Sequence, residues 1–206
     1  MPFPTTNAAQ ELPAINQILA SVGQAPVTTL DQTNPDVAIA YDTLLQVSRE
    51  VQAEGWTFNK EEHYEFTPDT DDEIPIANNI LQIELTENSA NMDKDGVRRS
   101  GKLYDRHNHT YKWTDETVEC DIIWELDWVD LPQPIQDFIV ARAAVQVSSR
   151  IVGDPNQYQM LQTAEAYQRA IALEYECNQG DHNFLGKPNH HQDNYVSYKP
   201  YKALYR

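Results

Sequence analysis

Residues 118–126 read Val-Glu-Cys-Asp-Ile-Ile-Trp-Glu-Leu, and this alternation decides the fold class of the middle of the chain. Successive side chains of an extended strand point to opposite faces of the sheet. One face carries the apolar side chains of Val118, Cys120, Ile122, Trp124 and Leu126. Acidic residues mostly occupy the other face. The pattern predicts a half-exposed antiparallel strand.

Shorter alternating runs precede this strand. They occupy residues 63–66, 81–85, 102–104 and 110–113, and each mixes β-branched or aromatic residues with polar ones. Residues with these side chains favour the pleated surface of a sheet. The sequence therefore predicts antiparallel β-structure between residues 57 and 130.

Two helices are predicted before this β-rich region. Apolar residues recur every three or four positions from Leu12 to Val22, which is typical of an amphipathic helix. A second helix begins after Asn34, which can accept a hydrogen bond as the N-cap, while Pro35 suits the first helical position. That helix is predicted to run to about Glu54.

Two further helices follow. The first extends from about Leu131 to Gly153, and Asp154-Pro155 then repeats the capping pattern and begins a helix that ends near Gly180. The last helix carries an apolar stripe, which comprises Met160, Ala164, Tyr167, Ile171 and Tyr175. The predicted fold is α+β: a four-helix-type bundle (residues 11–56 and 131–180), an antiparallel β-rich insertion (residues 57–130) and an extended C-terminal arm (residues 181–206).

The arm has an unusual composition. It contains Tyr195, Tyr198, Tyr201 and Tyr205, and its basic residues outnumber its acidic ones. Tyrosine offers a large contact area at a low cost in side-chain entropy, so the arm is predicted to lie on another surface. That surface belongs either to a partner or to the same domain.

Charge excludes several classes of function. The 206 residues carry a formal net charge of −17, and residues 57–130 hold 19 acidic and seven basic residues. Such a surface repels the phosphates of nucleic acids and of anionic membranes. No apolar run approaches the roughly 20 residues that cross a bilayer, and no signal peptide is expected at the N-terminus. We expect a soluble protein that is made in a reducing compartment.

Sequence motifs argue against several kinds of catalytic or cofactor site. The seven glycines form neither GxGxxG nor GxxxxGK[ST], so the phosphate-binding loops of nucleotide-binding folds are absent. No GxSxG elbow is present either. Cys120 and Cys177 lie 57 positions apart, a spacing that fits neither a disulfide scaffold nor a zinc site. The sequence predicts no cofactor and no catalytic residue.

Residues 91–96 imitate the start of a calcium-binding EF-hand loop, with oxygen ligands at alternate positions and glycine at the sixth. The twelfth position should hold a glutamate, yet it is Lys102. We therefore predict an acidic hairpin turn here and no metal site.

The segment Asp105-Arg106-His107-Asn108-His109 collects groups that bind metals or transfer protons. A metal-dependent nuclease that uses Asp105, His107 and His109 is the alternative to a structural role, although it lacks further ligands and a basic surface. Histidines at a junction between strands are more often solvated turn residues. A soluble regulatory binding module is a third class.

Several segments of the chain resemble the tail tubular protein A family, the head-to-tail adaptors of short-tailed bacteriophages. The resemblance begins with residues 11–23 (Glu-Leu, then Ala-Ile-Asn-Gln-Ile-Leu-Ala-Ser-Val-Gly from Ala14) and Pro26-Val-Thr-Thr-Leu. It continues through Gly55-Trp-Thr-Phe-Asn, Tyr104-Asp-Arg, Leu131-Pro and Arg150-Ile-Val-Gly-Asp-Pro. The segments occur in the same order as in the family, over roughly residues 11–180.

This resemblance implies a virion protein of the tail that is made in the host cytoplasm and is not an enzyme. It implies a dodecameric ring between the portal protein and the tail nozzle (tail tubular protein B). Such a ring helps to attach tail fibres and passes DNA through its channel without specific binding. The acidic surface agrees with this, because like charge keeps DNA from adhering.

Three sets of contact residues are hypothesised within such an assembly. The arm, with Tyr195, Tyr198, Tyr201 and Tyr205, is predicted to bind the portal or an adjacent subunit. The ring interface is predicted to use Arg49, Arg142 and Arg150. The surface that faces the nozzle and fibres is predicted to include Tyr104, Arg106, Tyr111, Trp113 and Trp128.

Overall fold

The computed structural model describes residues 8–31, 33–86, 91, 93–114 and 117–180. Within these residues the chain forms two helices, then five strands and a 3₁₀ turn, then two more helices. The mixed α+β class predicted from the sequence is confirmed. The predicted C-terminal arm lies outside the described residues, and the boundaries of the insertion as a separate unit stay predictions.

The helices begin and end where local signals place them. They are α1 (Ala8–Ser21), α2 (Pro35–Gln52), α3 (Gln133–Ile151) and α4 (Pro155–Gly180). At the start of α2, Asn34 Oδ1 accepts a hydrogen bond from the backbone N–H of Asp36 at 3.0 Å, as the sequence predicts for an N-cap. Helix α1 begins four residues earlier than its apolar pattern indicates and contains Pro13.

The helices share one apolar core. Its fully buried side chains include Ile15, Ile18, Tyr41, Leu44, Phe138 and Ile139. Burial of each such side chain contributes roughly 1.5–3 kcal/mol relative to exposure, so this core accounts for most of the bundle's packing energy.

The strands form two small antiparallel sheets. They are β1 (Lys60–Phe66), β2 (Ile80–Leu85), β3 (Gly96–Arg99), β4 (Lys102–Asp105) and β5 (Val118–Trp124). One sheet has the order β1-β5-β2, and β3 pairs with β4 in a hairpin. A 3₁₀ turn at Trp128–Asp130 leads into α3. The sheets enclose a second apolar core, which contains Ile74, Ile76, Ile80, Leu103, Trp113, Val118, Cys120 and Ile122.

Strand β5 is antiparallel to both of its neighbours, as predicted, and is the central strand of its sheet. Val118, Cys120 and Ile122 point into the second core. Ile123 is buried as well, although it belongs to the opposite face. Because the first helix pair ends beside it, both faces of β5 are covered at this end of the sheet.

Three sequence predictions for the insertion are wrong. Residues 110–113 do not form a strand: Thr110 makes an isolated bridge to Asp105, and Trp113 turns into the core. Strand β3 was not predicted. Residues 91–96 are not a hairpin turn, because they lead from β2 in one sheet to β3 in the other.

Polar side chains join the two cores. Gln52, the last residue of α2, donates to the carbonyl of Leu126 at 3.2 Å and accepts from its N–H at 2.7 Å. Asn59 donates from its side-chain amide to the carbonyls of Gln52 and Trp124, at 2.9 and 2.8 Å. The Glu176 carboxylate of α4 accepts from the N–H and hydroxyl of Thr57. These contacts fix the insertion to the end of the bundle.

Candidate functional site

The outer side of α4 is an apolar surface that nothing in the described chain covers. We define the α4 face as the exposed side chains of Met160, Thr163, Ala164, Tyr167 and Ala170. They lie on one side of the helix because they are spaced three and four residues apart. Met160 is 75% exposed and Tyr167 is 67% exposed, which is unusual for such large apolar side chains.

The adjoining side of α4 packs against the bundle. Ala172 is fully buried there, and Gln157 donates a hydrogen bond to the carbonyl of Ser21 at the end of α1. The sequence pattern predicts the helix correctly, but of its predicted apolar stripe only Ile171 and Tyr175 are half-buried, while Met160, Ala164 and Tyr167 are exposed. It does not tell which part of the helix faces inward, so the exposure of Met160 and Tyr167 was missed.

Several charged residues near α4 are paired within the subunit, whereas Glu174, two turns after Tyr167, is exposed and has no ion pair with a described residue. Glu54, at the end of the α2 region, contacts Arg142 of α3 at 3.2 Å and Arg169 of α4 at 3.3 Å. Glu165 lies 4.0 Å from Arg142. Residues 155–164 contain no charged residue at all, in a chain of which 23% is charged. This uncharged stretch is the sequence signal that points to the α4 face.

The three arginines predicted for a ring interface all have partners in their own subunit. Arg49 lies 3.6 Å from Glu125, although 59% of its side chain is exposed. Arg150 donates to the hydroxyl of Thr43 at 2.8 Å and so joins α3 to α2. Arg142 is bound as described above. Their role in a ring interface stays a prediction, and Arg49 and Arg150 are the two exposed members of the set.

The residues predicted to face the nozzle and fibres divide into two groups. Trp113 is only 2% exposed and donates from its indole N–H to the carbonyl of Leu103 at 3.0 Å. Tyr104 is buried, with the Arg99 guanidinium 4.2 Å from its ring centroid, and Trp128 packs on the bundle core. Trp113 and Tyr104 therefore serve packing within the subunit, while Trp128 is half-buried and keeps part of its surface accessible.

The other two residues of that set are accessible. Arg106 is exposed and its guanidinium donates to the Asp95 carboxylate, with a distance of 2.8 Å from Nε. Tyr111 is half-buried, and its ring centroid lies 4.7 Å from that of Tyr104. Arg106 and Tyr111, with part of Trp128, are therefore the members of this set that a binding partner can contact. Their role in binding stays a prediction.

Asp105 organises the turn that carries the two histidines. Its buried carboxylate accepts hydrogen bonds from the backbone N–H groups of Asp95, His107 and Asn108, and from the Asn108 side chain at 2.7 Å. Burial raises the pKa of Asp105, but the hydrogen bonds from Asn108, Asp95 and His107 together outweigh burial and hold it below its usual value.

This arrangement bears on the nuclease alternative. His107 and His109 are exposed turn residues, as the turn interpretation predicts, while the Asp105 carboxylate points at backbone amides. Across the residues that the structure describes, no group of three or more His, Cys, Asp or Glu side chains is placed to hold a metal ion. No observation therefore favours a metal-dependent reaction here.

A cleft separates α2 from the connection that follows β5. It has a volume of about 490 Å³ and is lined by Leu44, Leu45, Leu126 and Trp128, with Glu11, Arg49, Glu125 and Asp127 among its polar neighbours. Residues from four separate parts of the chain form this cleft. No local sequence pattern predicts the cleft.

The two cysteines differ sharply in their surroundings. Cys120 is fully buried on β5, and burial raises the pKa of its thiol to about 12. Cys177 is exposed near the end of α4.

In the described part of the chain, the helices are too short or too polar to cross a bilayer.

Comparison with known proteins gives this arrangement a context. Residues 12–182 match the family described as tail tubular protein. The chain belongs to the tail tubular protein family. Its relatives include tail tubular protein A of Klebsiella phage KP34, which is 30% identical over 171 residues, covering 82% of this chain and 89% of the relative.

Membership in the tail tubular protein family establishes the general role. The chain is a structural protein of a bacteriophage tail and works in an assembly with other tail proteins. The resemblance found in the sequence is thereby confirmed. The four tyrosines of the C-terminal arm lie outside the described residues, so their predicted contacts remain predictions.

Proposed function

We propose that this tail tubular protein is the head-to-tail adaptor: a ring of subunits, twelve by the family resemblance, between the portal and the tail nozzle. The observation that carries this proposal is the α4 face. A large uncharged helix surface rimmed by paired charges is typical of protein that is covered in its assembled state. In a tail component, a neighbouring subunit is the partner that every copy has available.

Subunit contact through the α4 face, from Met160 to Ala170, can leave the neighbouring ion pairs in place if Glu174, two turns after Tyr167, stays at the solvated edge. Arg142, Arg169 and Glu165 are paired on the subunit itself, so closing the interface does not leave a buried ion without a partner. Exposed small residues, Ala164 and Ala170, let a neighbouring backbone approach closely. Permanent interfaces of this kind often bury more than about 2,000 Å² in total and are strongly apolar.

Tyr167→Glu tests the ring directly. Because Tyr167 is exposed, the free energy of unfolding should change by less than about 0.5 kcal/mol. Placing a carboxylate in every interface should raise the concentration needed for ring formation with portal by at least tenfold. The matched control is Gln162→Glu, which adds the same charge at an exposed position on another side of α4.

The readout is electron microscopy of portal mixed with each variant, with unfolding measured in parallel. A second ring on the portal with wild type and Gln162→Glu, and its loss with Tyr167→Glu, is the expected result. If wild type adds no ring to portal, the adaptor proposal fails. If Tyr167→Glu forms rings as readily as wild type, the α4 face is not the interface.

The remaining contacts of the adaptor are proposed from the sequence. The arm with Tyr195, Tyr198, Tyr201 and Tyr205 attaches the ring to the portal or to an adjacent subunit. Removal of residues 190–206 should abolish the binding of this protein to portal rings. The far-ultraviolet circular dichroism of the helices should stay unchanged. Retained joining would contradict the assignment of the arm.

The insertion is the part of the adaptor that we propose for the nozzle and fibres, through Arg106 and Tyr111. Arg106→Glu should lower fibre attachment in an assembled tail without loss of ring formation. Passage of DNA relies on the acidic surface, so the protein should not retain DNA at physiological salt. Cleavage of DNA in the presence of Mg²⁺ or Mn²⁺ would instead support the nuclease alternative.

A further inference from the structure

The cleft beside α2 has an apolar floor with acidic groups around it. Leu44 is almost fully buried beneath it, and Leu45, Leu126 and Trp128 are partly buried members of the same core. Part of their apolar surface faces the opening. A cleft of about 490 Å³ is large enough for two or three large side chains of a peptide.

The charges at this cleft are predominantly negative. Glu125 and Asp127 outnumber Arg49, which already lies 3.6 Å from Glu125, while the third acidic residue, Glu11, is buried. Asp127 is exposed and has no ion pair with any described residue. A ligand that combines apolar rings with positive charges therefore complements both the floor and the edge of the cleft.

One segment of this chain has that composition. Residues 194–206, called the C-terminal segment from here on, read Asn-Tyr-Val-Ser-Tyr-Lys-Pro-Tyr-Lys-Ala-Leu-Tyr-Arg. The segment contains four tyrosines and three basic residues and has no acidic residue. Tyr195, Tyr198 and Tyr201 are spaced by three residues around Pro200, a spacing that places side chains on one side of a polyproline II conformation when a groove binds it.

We propose that the C-terminal segment of one subunit binds in the cleft of the adjacent subunit of the ring. Tyrosine rings pack on Leu126 and Trp128, and the basic side chains pair with Glu125 and Asp127. This inference rests on the proposed function for the existence of an adjacent copy. It names the surface that the arm recognises.

The connecting chain is long enough to reach an adjacent copy as well as the same copy. Helix α4 ends at Gly180, four residues after Glu176, which is bonded to Thr57. Gln52 lines the cleft of the same subunit and is bonded through its carbonyl to Asn59, so that cleft lies close to the end of α4. Only a short connection would be needed for the C-terminal segment to reach the cleft of its own subunit.

Residues 181–193 provide much more length than that. Thirteen residues extend up to roughly 43 Å at about 3.3 Å each. A compact unit of this size has a radius of gyration of roughly 16 Å and hence a diameter of roughly 40 Å. The connector therefore matches the width of one subunit, which is the span between equivalent positions on neighbouring copies.

A fluorescent synthetic peptide of residues 194–206 tests the docking with the full chain. Binding is followed by fluorescence anisotropy at a protein concentration at which mass measurement shows single copies. We expect saturable binding, and Asp127→Lys should weaken it by about tenfold or more, because it reverses a charge at the cleft. The matched control, Glu65→Lys on β1, makes the same change at an exposed position outside the cleft and should alter affinity less than twofold.

Charge exchange gives a second test that does not depend on loss of function. A peptide in which Lys199, Lys202 and Arg206 are replaced by glutamate should not bind wild type and should bind Asp127→Lys. Equal binding of the original peptide to wild type and Asp127→Lys would overturn the proposal. So would an absence of binding to wild type.

A full-chain variant distinguishes the adjacent copy from the same copy. Replacing Tyr195, Tyr198 and Tyr201 by alanine removes the chain's own competitor. If the segment binds an adjacent copy, single subunits of wild type and of this variant should take up the peptide with affinities within about twofold. Tighter binding by the variant would mean that each subunit fills its own cleft, which overturns the proposal.

The docking and the ring can fail separately. The peptide assay needs neither portal nor ring, whereas the adaptor proposal is judged by microscopy of portal mixtures. Rings that form on portal without any peptide binding would overturn the docking alone. Peptide binding without a ring on portal would leave the docking and remove the adaptor role.

Discussion

The helical bundle and the β-rich insertion are stabilised in different ways. The bundle core contains large apolar side chains from α1, α2, α3 and the connecting segments, while α4 contributes Ala172. The insertion has a smaller core, supplemented by individual polar groups such as the buried Asp105, which accepts several backbone amides. We conclude that the bundle depends mainly on side-chain volume, while the insertion also depends on single hydrogen-bonding groups.

The comparison extends to the surfaces. The exposed α4 face carries no charge, whereas the insertion carries most of the chain's excess of acidic residues. An uncharged face suits a permanent contact between subunits, and an acidic surface suits water and passing DNA. The two regions are therefore expected to respond differently to substitution, pH and salt.

The largest effect is expected for Phe138→Ala in the bundle core. Phe138 is fully buried, and loss of its ring should lower the free energy of unfolding by about 3–5 kcal/mol. Urea unfolding measures it, with Tyr167→Ala as the matched control, since that aromatic side chain is exposed and its loss should cost less than about 0.5 kcal/mol. If the two variants lost similar free energies of unfolding, the bundle would not depend on the volume of its buried side chains.

A smaller effect is expected for Asp105→Asn in the insertion. Loss of a charged acceptor for buried amides should cost about 1–3 kcal/mol at pH 7. Because the folded pKa of Asp105 lies below its unfolded value of about 3.9, its stabilisation is fully present above that value and is lost as pH falls through the folded pKa.

The difference in stability between wild type and Asp105→Asn should accordingly stay constant from pH 7 to about pH 5 and shrink below about pH 4. Unfolding by urea at several pH values measures this difference, and carboxylates common to both proteins cancel. A difference that grows as the pH falls would show that Asp105 does not act through its ionised form.

Gly55→Ala probes the place where the two regions meet and should cost about 1–2 kcal/mol from its backbone conformation alone. Gly55 has a φ of +77°, and a β-carbon there would lie 2.7 Å from Cδ1 of Ile123. Gly153 has a φ of +68° with nothing within 4 Å, so Gly153→Ala is the matched control for the backbone cost.

Any cost of Gly55→Ala beyond that of Gly153→Ala measures the contact with β5. The double variant Gly55→Ala with Ile123→Val removes the Cδ1 atom and should recover that excess relative to Ile123→Val alone. No recovery would mean that the bundle and insertion do not press together at this point.

The smallest effect on stability is expected for Arg106→Ala. Its ion pair with Asp95 is exposed on both sides, so its loss should cost about 0–1 kcal/mol and less at high salt. Unfolding at low and high salt measures this. A loss above 2 kcal/mol would contradict a purely superficial role and would complicate the use of Arg106 variants in fibre binding.

Local signals in the sequence predict the bundle well. The Asn34 cap, the proline after it and the three-to-four spacing of apolar residues act within a few positions, and the structure follows them. Strand β5 was predicted for the same reason. Family membership was also visible, because its segments occur in order along the chain.

The insertion and the candidate surfaces depend on contacts between distant residues. Trp113 fits the alternating pattern of a strand. In the structure its indole N–H donates to the carbonyl of Leu103, and its backbone N–H donates to the carbonyl of Asp72. Strand β3 contains Gly96 and two arginines, so only its pairing with β4 makes it a strand. Periodicity predicts the stripe on α4 but not which side α3 covers.

Unequal access to the two thiols has a practical consequence. Cys120 is enclosed and its high pKa keeps it protonated, so a maleimide dye should react with Cys177 on the surface of the native protein. One dye per polypeptide makes the number of photobleaching steps in a single particle a direct count of copies. The natural sequence thus already contains the label site for determining stoichiometry.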